Sequence, residues 1–191
     1  PRIRSRFCQF ERIVDYRMMA LRSIPTLFCS AAALLWATPL IAQGTEGAVE
    51  KGRYGQWIVH QSAGDDPKIC FAASQPQIKE PAGANRSAIV FYVSAWPKDG
   101  IKSEVSIKLG YPIRPDSPVA VEVGSDEFQL FAKDDRAYVA DATDELKLIE
   151  ALKKGNAVIV KATSARGTQT RDTYSLQGIT KALQEMANAC P

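Results

Sequence analysis

The sequence has few of the side chains that enzymes and metal sites use most often. Its 191 residues include one histidine, His60, and four cysteines, of which two lie in the N-terminal segment that we expect to be removed. One histidine and a bridged pair of cysteines cannot build a zinc centre with normal ligands. The sequence also lacks a glycine-rich phosphate loop, a nucleophile elbow and the spacing of a calcium loop. We therefore predict no catalytic residue, no metal site and no cofactor, and we interpret His60 as a surface or half-buried strand residue.

Charged residues are absent between Arg22 and Glu46, where the chain reads SIPTLFCSAAALLWATPLIAQGT. A basic start, an apolar run and a small residue at its exit predict a secretory signal peptide, with cleavage between Ala42 and Gln43. A retained signal anchor is the alternative, because the run is nearly long enough to span a bilayer. We expect residues 1–42 to be an upstream stretch and a cleaved leader, leaving a product that is not an integral membrane protein.

The excess of positive charge belongs to this leader. Residues 1–42 hold six of the 24 basic and two of the 21 acidic residues, which leaves 18 basic and 19 acidic residues in the remainder. A nucleic-acid-binding domain carries clustered lysines and arginines on one face, and the remainder shows no such cluster. The sequence therefore predicts no nucleic-acid partner.

Two cysteines, Cys70 and Cys190, remain once Cys8 and Cys29 leave with the leader. An even pair in an exported chain predicts a disulfide, and closing so long a loop stabilises a protein by about 4–5 kcal/mol in the chain-entropy model. Two free buried thiols are the alternative. A catalytic pair of His60 with Cys70 is also conceivable, but a disulfide would consume its thiol.

Alternating and apolar runs predict about eight or nine short strands within one domain, residues 54–191, preceded by a flexible segment, residues 43–53. The absence of βαβ alternation favours an antiparallel β-sandwich, or a barrel-like fold, with two short helices on its flank. The strand segments are YGQWIVH, KICFAAS, AIVFYVSAW, EVSIKL, VAVEV, the hairpin in EFQLFAKDDRAYVA, NAVIVKATS and TQTRDTYSL.

The two helices are predicted from a period of 3.6 residues in TDELKLIEALKKG and GITKALQEMANAC. Thr143 is the expected N-cap of the first helix, and Gly155 suits its end. The apolar arc of the first helix comprises Leu146, Leu148, Ile149 and Leu152. The apolar arc of the second helix comprises Ile179, Ala182, Leu183, Met186 and Cys190. The second arc directs Cys190 to the core, where a bond to Cys70 needs it.

Two loop residues are candidate partner contacts. Trp96 stands beside the charged turn in AWPKDG, and Arg166 stands at a hairpin tip in SARGTQT. Exposed aromatic and arginine side chains often anchor a protein partner. The alternative is that Trp96 belongs to the core and Arg166 is merely solvated.

Four segments together, WPKDGIKSEVSIKLGYPI, VEVGSDEFQLF, LIEALKKG and SARGTQTRDTYSLQGITKAL, closely resemble the invasion-associated locus B family. The resemblance spans residues 54–190, and RGTQTRDTYSL is its most specific part. It implies an exported β-rich envelope domain of Gram-negative bacteria without established enzymatic activity, some members being linked to host-cell entry. Many members have a cysteine where this chain has Gln61, so a second disulfide of the family is not expected here.

We therefore predict a non-enzymatic periplasmic, secreted or outer-envelope protein that acts through a protein or cell-envelope partner, with a role in host-cell entry as the family suggests. A small-ligand carrier is one alternative, and its mark would be an apolar cavity between the sheets. An enzyme is another, and it would require His60 in a cleft beside two carboxylates.

Overall fold

The computed structural model describes residues 47–64 and 68–191, which form eleven antiparallel strands and two α-helices. The predicted leader and its cleavage point at Ala42–Gln43 lie outside these residues. No helix in the described part of the chain is both long and apolar enough to cross a bilayer.

In chain order the elements are β1 (Ala48–Tyr54), β2 (Trp57–Ser62), β3 (Cys70–Ser74), β4 (Ile78–Glu80), β5 (Val90–Trp96), a 3₁₀ turn (Pro97–Asp99), β6 (Ile101–Lys108), β7 (Val119–Val123), β8 (Asp126–Lys133), β9 (Arg136–Tyr138), α1 (Ala142–Lys154), β10 (Ala157–Thr163), β11 (Gln169–Ser175) and α2 (Ile179–Ala189).

The strands form one open sheet in the order β1-β2-β3-β5-β6-β9-β8-β7-β10-β11-β4. The sheet folds over along β8, whose residues 131–133 pair with β9 and whose residues 126–130 pair with β7. Two half-sheets thus face each other across a shared core, and the predicted antiparallel sandwich is confirmed. Nine of the strands are the predicted ones, and β1 and β4 are additional.

The inward-facing side chains of the strands between β1 and β4 build the core between the half-sheets. Phe91 of the first half-sheet contacts Trp57 of the same half-sheet and Tyr174 of the second, with ring centroids 5.8 Å apart for Trp57–Phe91 and 5.6 Å for Phe91–Tyr174, both edge to face. The Trp57 Nε1–H donates to the carbonyl oxygen of Ser175 at 3.0 Å. Such edge-to-face pairs contribute about 0.5–1.5 kcal/mol each beyond the area they bury.

Helix α1 packs its apolar residues into the same core but differs from the predicted helix at two residues. Asp141, not Thr143, is the N-cap, because its carboxylate accepts the backbone N–H groups of Thr143 and Asp144 at 2.9 and 3.1 Å. Leu146 is 64% exposed, so the apolar arc is narrower than the sequence predicts. The buried residues of α1 are Leu148, Ile149, Ala151 and Leu152.

Helix α2 buries the predicted stripe of Ile179, Ala182, Leu183 and Met186. Just beyond its end, Cys190 is joined to Cys70 of β3 by a disulfide. Gly178, at the start of α2, has φ +92, and a Cβ there would collide with the carbonyl oxygen of Tyr54. The last helix is thus held against the first half-sheet at both of its ends.

The two additional strands are the two edges of the sheet. The sequence predicts a flexible segment at residues 43–53, but residues 48–53 lie in β1, which pairs with β2 from Ala48 to Tyr54. The segment SQPQIKEPAGANRS is predicted to be an exposed loop because of its two prolines and Gly83, but its residues 78–80 form β4 and pair with residues 171–173 of β11. Both strands form through backbone pairing and bury little, so their side chains need not alternate.

Candidate functional site

Three connections meet at one end of the sandwich and form its candidate functional site. They are residues 81–89 before β5, residues 109–118 after β6, and the tip of the β10–β11 hairpin, residues 164–168. Backbone hydrogen bonds join them: Ser87 N–H donates to Gly110 at 2.9 Å, Arg114 N–H to Thr163 at 2.9 Å, and Ala165 N–H to Pro112 at 2.8 Å. We call this surface the three-loop end.

A buried ion pair between Arg86 and Asp172 lies beneath the three loops. The guanidinium engages the carboxylate through both arms, with Nη1–Oδ1 at 2.7 Å and Nη2–Oδ2 at 2.6 Å. The Nε and Nη2 groups also donate to the carbonyl oxygen of Leu109 at 3.1 and 2.8 Å. The Arg86 side chain is 5% exposed and the Asp172 side chain 0%, so the pair is almost completely removed from water.

The position of Asp172 explains why the sequence needs this arginine. In β11 the inward residues are Thr170, Asp172 and Tyr174, so the strand directs a carboxylate into the core. A buried carboxylate costs several kcal/mol unless a counter-ion and hydrogen bonds compensate it. Arg86 supplies both, and because it also holds Leu109 it fixes two of the loops to β11.

Tyr111 covers the outer side of this ion pair. The Arg86 Cζ atom lies 4.9 Å from the centroid of the Tyr111 ring, a cation–π contact. The Tyr111 hydroxyl hydrogen-bonds with the Thr170 hydroxyl, and either group can be the donor. Burial raises the pKa of Tyr111, while the Thr170 hydrogen bond and the Arg86 charge oppose that shift, so Tyr111 stays a neutral phenol at physiological pH.

The close contact between the first two loops depends on Gly110. Its φ is +77, and a Cβ at this position would lie 2.6 Å from the carbonyl oxygen of Ser87. A side chain would therefore be both strained and in collision with backbone. Glycine here allows residues 81–89 to lie directly against the connection after β6.

A cleft of about 500 Å³ opens at the three-loop end. Arg86 and Tyr111 line it on one side, and the hairpin tip lines it on the other with Arg166 and Thr168. Asn85 stands at its margin as an exposed amide. The wall is thus fixed by buried contacts, while the rim is polar and open to solvent.

A second arginine, Arg114, stands next to this rim. Gly167 at the hairpin tip has φ +89, and a Cβ there would lie 3.0 Å from Arg114 Nη2, so the Arg114 guanidinium rests against the tip. Arg114 and Arg166 are exposed, and neither forms an ion pair with a carboxylate of the described residues. The rim is therefore electropositive.

The structure places the two predicted contact residues far apart. Arg166 is exposed at the three-loop end, whereas Trp96 is half-buried at the far end of β5 from Arg86, about 20 Å along the strand. The Trp96 indole N–H is buried and has no acceptor among the described residues. Partner contact at either residue stays a prediction, and the two do not form one surface.

His60 lies on the outer face of the first half-sheet, away from the three-loop end. It stacks on Phe71 with ring centroids 5.0 Å apart, and Phe71 meets Tyr92 edge to face at 5.9 Å. Its cross-strand neighbour Glu50 pairs with Arg53 at 3.4 Å, and the residues lining the adjacent depression include no carboxylate. These surroundings differ from the cleft with two carboxylates that an enzyme built on His60 would require.

Among the described residues, no group of three or more His, Cys, Asp or Glu side chains converges as a metal site would require. The polar side chains that line the cleft are instead arginines, hydroxyls and an amide. Their arrangement is suited to holding a ligand through hydrogen bonds and positive charge, and Arg86 is already occupied by Asp172.

Comparison with known proteins bears on these observations. The family model for the invasion associated locus B (IalB) protein matches residues 57–187, most of the chain. The chain belongs to this family. The resemblance predicted from sequence is confirmed, and the match takes in all three loops of the candidate site.

A crystal structure of invasion associated protein b from Bartonella henselae is similar to this IalB-family chain. The two are 19% identical with a TM-score of 0.53, and the likeness covers 72% of this chain and 95% of the other. At this identity the likeness establishes the fold. No curated protein matches the chain.

Sequence reasoning missed Arg86 and Tyr111, which line the cleft, and Asp172, which is buried beneath them and holds Arg86. One signal was present: in TQTRDTYSL the alternation that directs Tyr174 inward directs Asp172 inward as well. A carboxylate at an inward position of a strand predicts a buried partner. The identity of that partner was not readable, because Arg86 is 86 residues away along the chain.

Proposed function

We propose that this IalB-family protein is exported, loses its leader after Ala42, and acts in the periplasm or at the cell envelope by binding a protein or envelope partner through the three-loop end. The observation that carries the proposal is the Arg86–Asp172 ion pair, which fixes two of the three loops to β11 beside a cleft that Arg166 lines and Arg114 flanks. Rigid loops that display unpaired arginines are a common form of binding surface.

Export is supported by the leader-like composition of residues 23–45 and by the disulfide between Cys70 and Cys190. Disulfides persist in oxidising compartments and are rare in the cytosol. The family and the similar Bartonella henselae protein are both named for invasion, so a role in host-cell entry is part of the proposal. No catalytic step is assigned to any residue.

The carrier alternative receives less support from the core. A carrier would need an apolar cavity between the half-sheets, but that space holds the Phe91 ring in contact with both Trp57 and Tyr174. The cleft at the three-loop end and the depression beside His60 both open at the surface instead. We therefore assign binding to the three-loop end and not to the interior.

Cross-linking in intact cells tests this proposal directly. The native protein is compared with Arg166→Glu and with Lys102→Glu, a matched change at an exposed residue near Trp96, at the opposite end of the sandwich. We expect Arg166→Glu to lose the cross-linked species and Lys102→Glu to keep it. Equal cross-linking by both variants would contradict the assignment, and mass spectrometry of the product should find Gln43 at its N-terminus.

A further inference from the structure

The electropositive rim of the cleft lacks a counter-charge from the described residues. Asp172, the buried acid nearest the cleft wall, is fully engaged by Arg86. Asp116 and Asp134, which lie in or beside the loops, form no ion pair with Arg114 or Arg166. Arg166 lines the cleft and Arg114 rests against the hairpin tip beside it, and no described carboxylate engages either of these permanently charged guanidinium groups.

The size of the cleft indicates more than a bare ion. Its volume of about 500 Å³ lies within the range of about 300–1,000 Å³ that is usual for small-molecule sites. The Tyr111 ring offers a flat apolar surface, and Asn85 and Thr168 offer an amide and a hydroxyl at the rim. These groups suit a ligand with a hydroxylated body attached to its anionic group.

We propose that the cleft binds a phosphate monoester of about the size of a sugar phosphate, with Arg114 and Arg166 on the phosphate and Tyr111, Asn85 and Thr168 on the organic part. A phosphate monoester carries nearly two negative charges and three acceptor oxygens. Two guanidinium forks match that charge and those oxygens, whereas a carboxylate offers one charge and two oxygens.

This inference rests on the proposed function, since it names the chemistry recognised at the three-loop end. The phosphate monoester can belong to a soluble molecule or to the headgroup of a lipid, and the chemistry of the cleft is the same for both. The experiment therefore includes a probe for each source.

NMR titration of the protein without its leader, as residues 43–191, tests the proposal with glucose 6-phosphate, glucose, glucuronate and inorganic phosphate as probes. We expect glucose 6-phosphate to shift the backbone signals of Asn85, Arg166 and Thr168. Arg114→Gln and Arg166→Gln should each weaken this binding by about tenfold or more, since each removes the charge-assisted hydrogen bonds of one guanidinium group. Lys102→Gln is the matched control and should leave it unchanged.

Three outcomes would overturn the proposal: no response to glucose 6-phosphate, an equal response to glucuronate, or an equal response to inorganic phosphate. Cosedimentation with phosphatidylcholine vesicles, with and without phosphatidic acid, addresses the lipid source, and binding only with phosphatidic acid supports a lipid-held monoester. If Arg166→Glu loses its cross-linked partner in cells while no phosphate monoester binds, the proposed function stands and this inference fails.

Discussion

Replacing Arg86 with Met tests how the three-loop end is held together. The change keeps most of the side-chain length, but it leaves the Asp172 carboxylate, 0% exposed, without a counter-ion. It also removes two hydrogen bonds to the carbonyl oxygen of Leu109. Breaking a buried ion pair by removing one partner costs about 3–5 kcal/mol, and we expect Arg86→Met to lower the free energy of unfolding by that amount.

Arg171, the residue before Asp172 in β11, provides a matched control. Arg171 points outward and lies 3.4 Å from Glu80, with side chains 44% and 53% exposed. Exposed pairs contribute about 0–1 kcal/mol, so Arg171→Met should change the free energy of unfolding by no more than that. The two Arg→Met changes differ mainly in the burial of the pair that each one breaks.

Urea unfolding followed by tryptophan fluorescence, with the disulfide intact, measures the free energy of unfolding of both variants. For a protein of this size 1 kcal/mol corresponds to about 2–4 °C in Tm, so Arg86→Met should melt about 6–20 °C below the native protein. The double variant Arg86→Met with Asp172→Leu should recover much of the loss, because apolar replacement of a buried pair is often neutral or stabilising. If Arg86→Met and Arg171→Met had equal free energies of unfolding, the reasoning would be refuted.

Three further predictions concern the rest of the fold. Replacing Cys70 and Cys190 with Ala should lower stability by up to about 5 kcal/mol, because the bond closes a separation of 120 residues; a melting curve that is equal with and without reductant would contradict this. Burial raises the pKa of Glu145 to about 7, so the folded state binds its proton more tightly than the unfolded state. Its contribution to stability is full below pH about 4.5 and is lost as the pH rises through about 7. Because Glu145 is only partly buried, solvent screening reduces this loss to about 1–2 kcal/mol. The urea midpoint should therefore fall less steeply from pH 5 to 8 in Glu145→Gln than in the native protein. Leu148 is 0% exposed and Leu146 is 64% exposed, so Leu148→Ala should lower the free energy of unfolding by about 2–5 kcal/mol and Leu146→Ala by less than about 0.5 kcal/mol. Comparable losses in urea unfolding would contradict this difference and show that Leu146 packs in solution.

The sheet interior was predictable from sequence and its edges were not. Most inward residues of the nine predicted strands are apolar, Thr170 and Asp172 of β11 being exceptions, and burial of those residues leaves an alternating or continuous apolar pattern in the sequence. Strands β1 and β4 are the two ends of the sheet, and residues such as Glu50, Lys51 and Lys79 in them are exposed. Backbone pairing alone selects these segments, and it imposes little constraint on residue type.

In the helices, the buried residues were predictable from sequence, whereas the N-cap was less so. The stripe of α2 followed from its period, and all of its predicted members are buried. The N-cap of α1 did not follow as directly, because Asp141 and Thr143 are both good capping residues. Only the backbone geometry at Asp141, with φ −139 and ψ 156, makes it the cap.

The segment RGTQTRDTYSL, the most specific part of the family resemblance, combines two roles, one at the hairpin tip and one in β11. Asp172 and Tyr174 point inward and are buried, so changes there act on the whole domain through the ion pair and the core. Arg166 stands exposed at the hairpin tip only six residues before Asp172, so its loss should leave unfolding almost unaffected. Loss of partner binding alone would not separate these roles, because a variant at Asp172 also disorders the loops that present Arg166. Measuring stability and binding on the same variants does separate them: the proposed site requires Arg166 variants that lose binding at unchanged stability, and Asp172 variants that lose both.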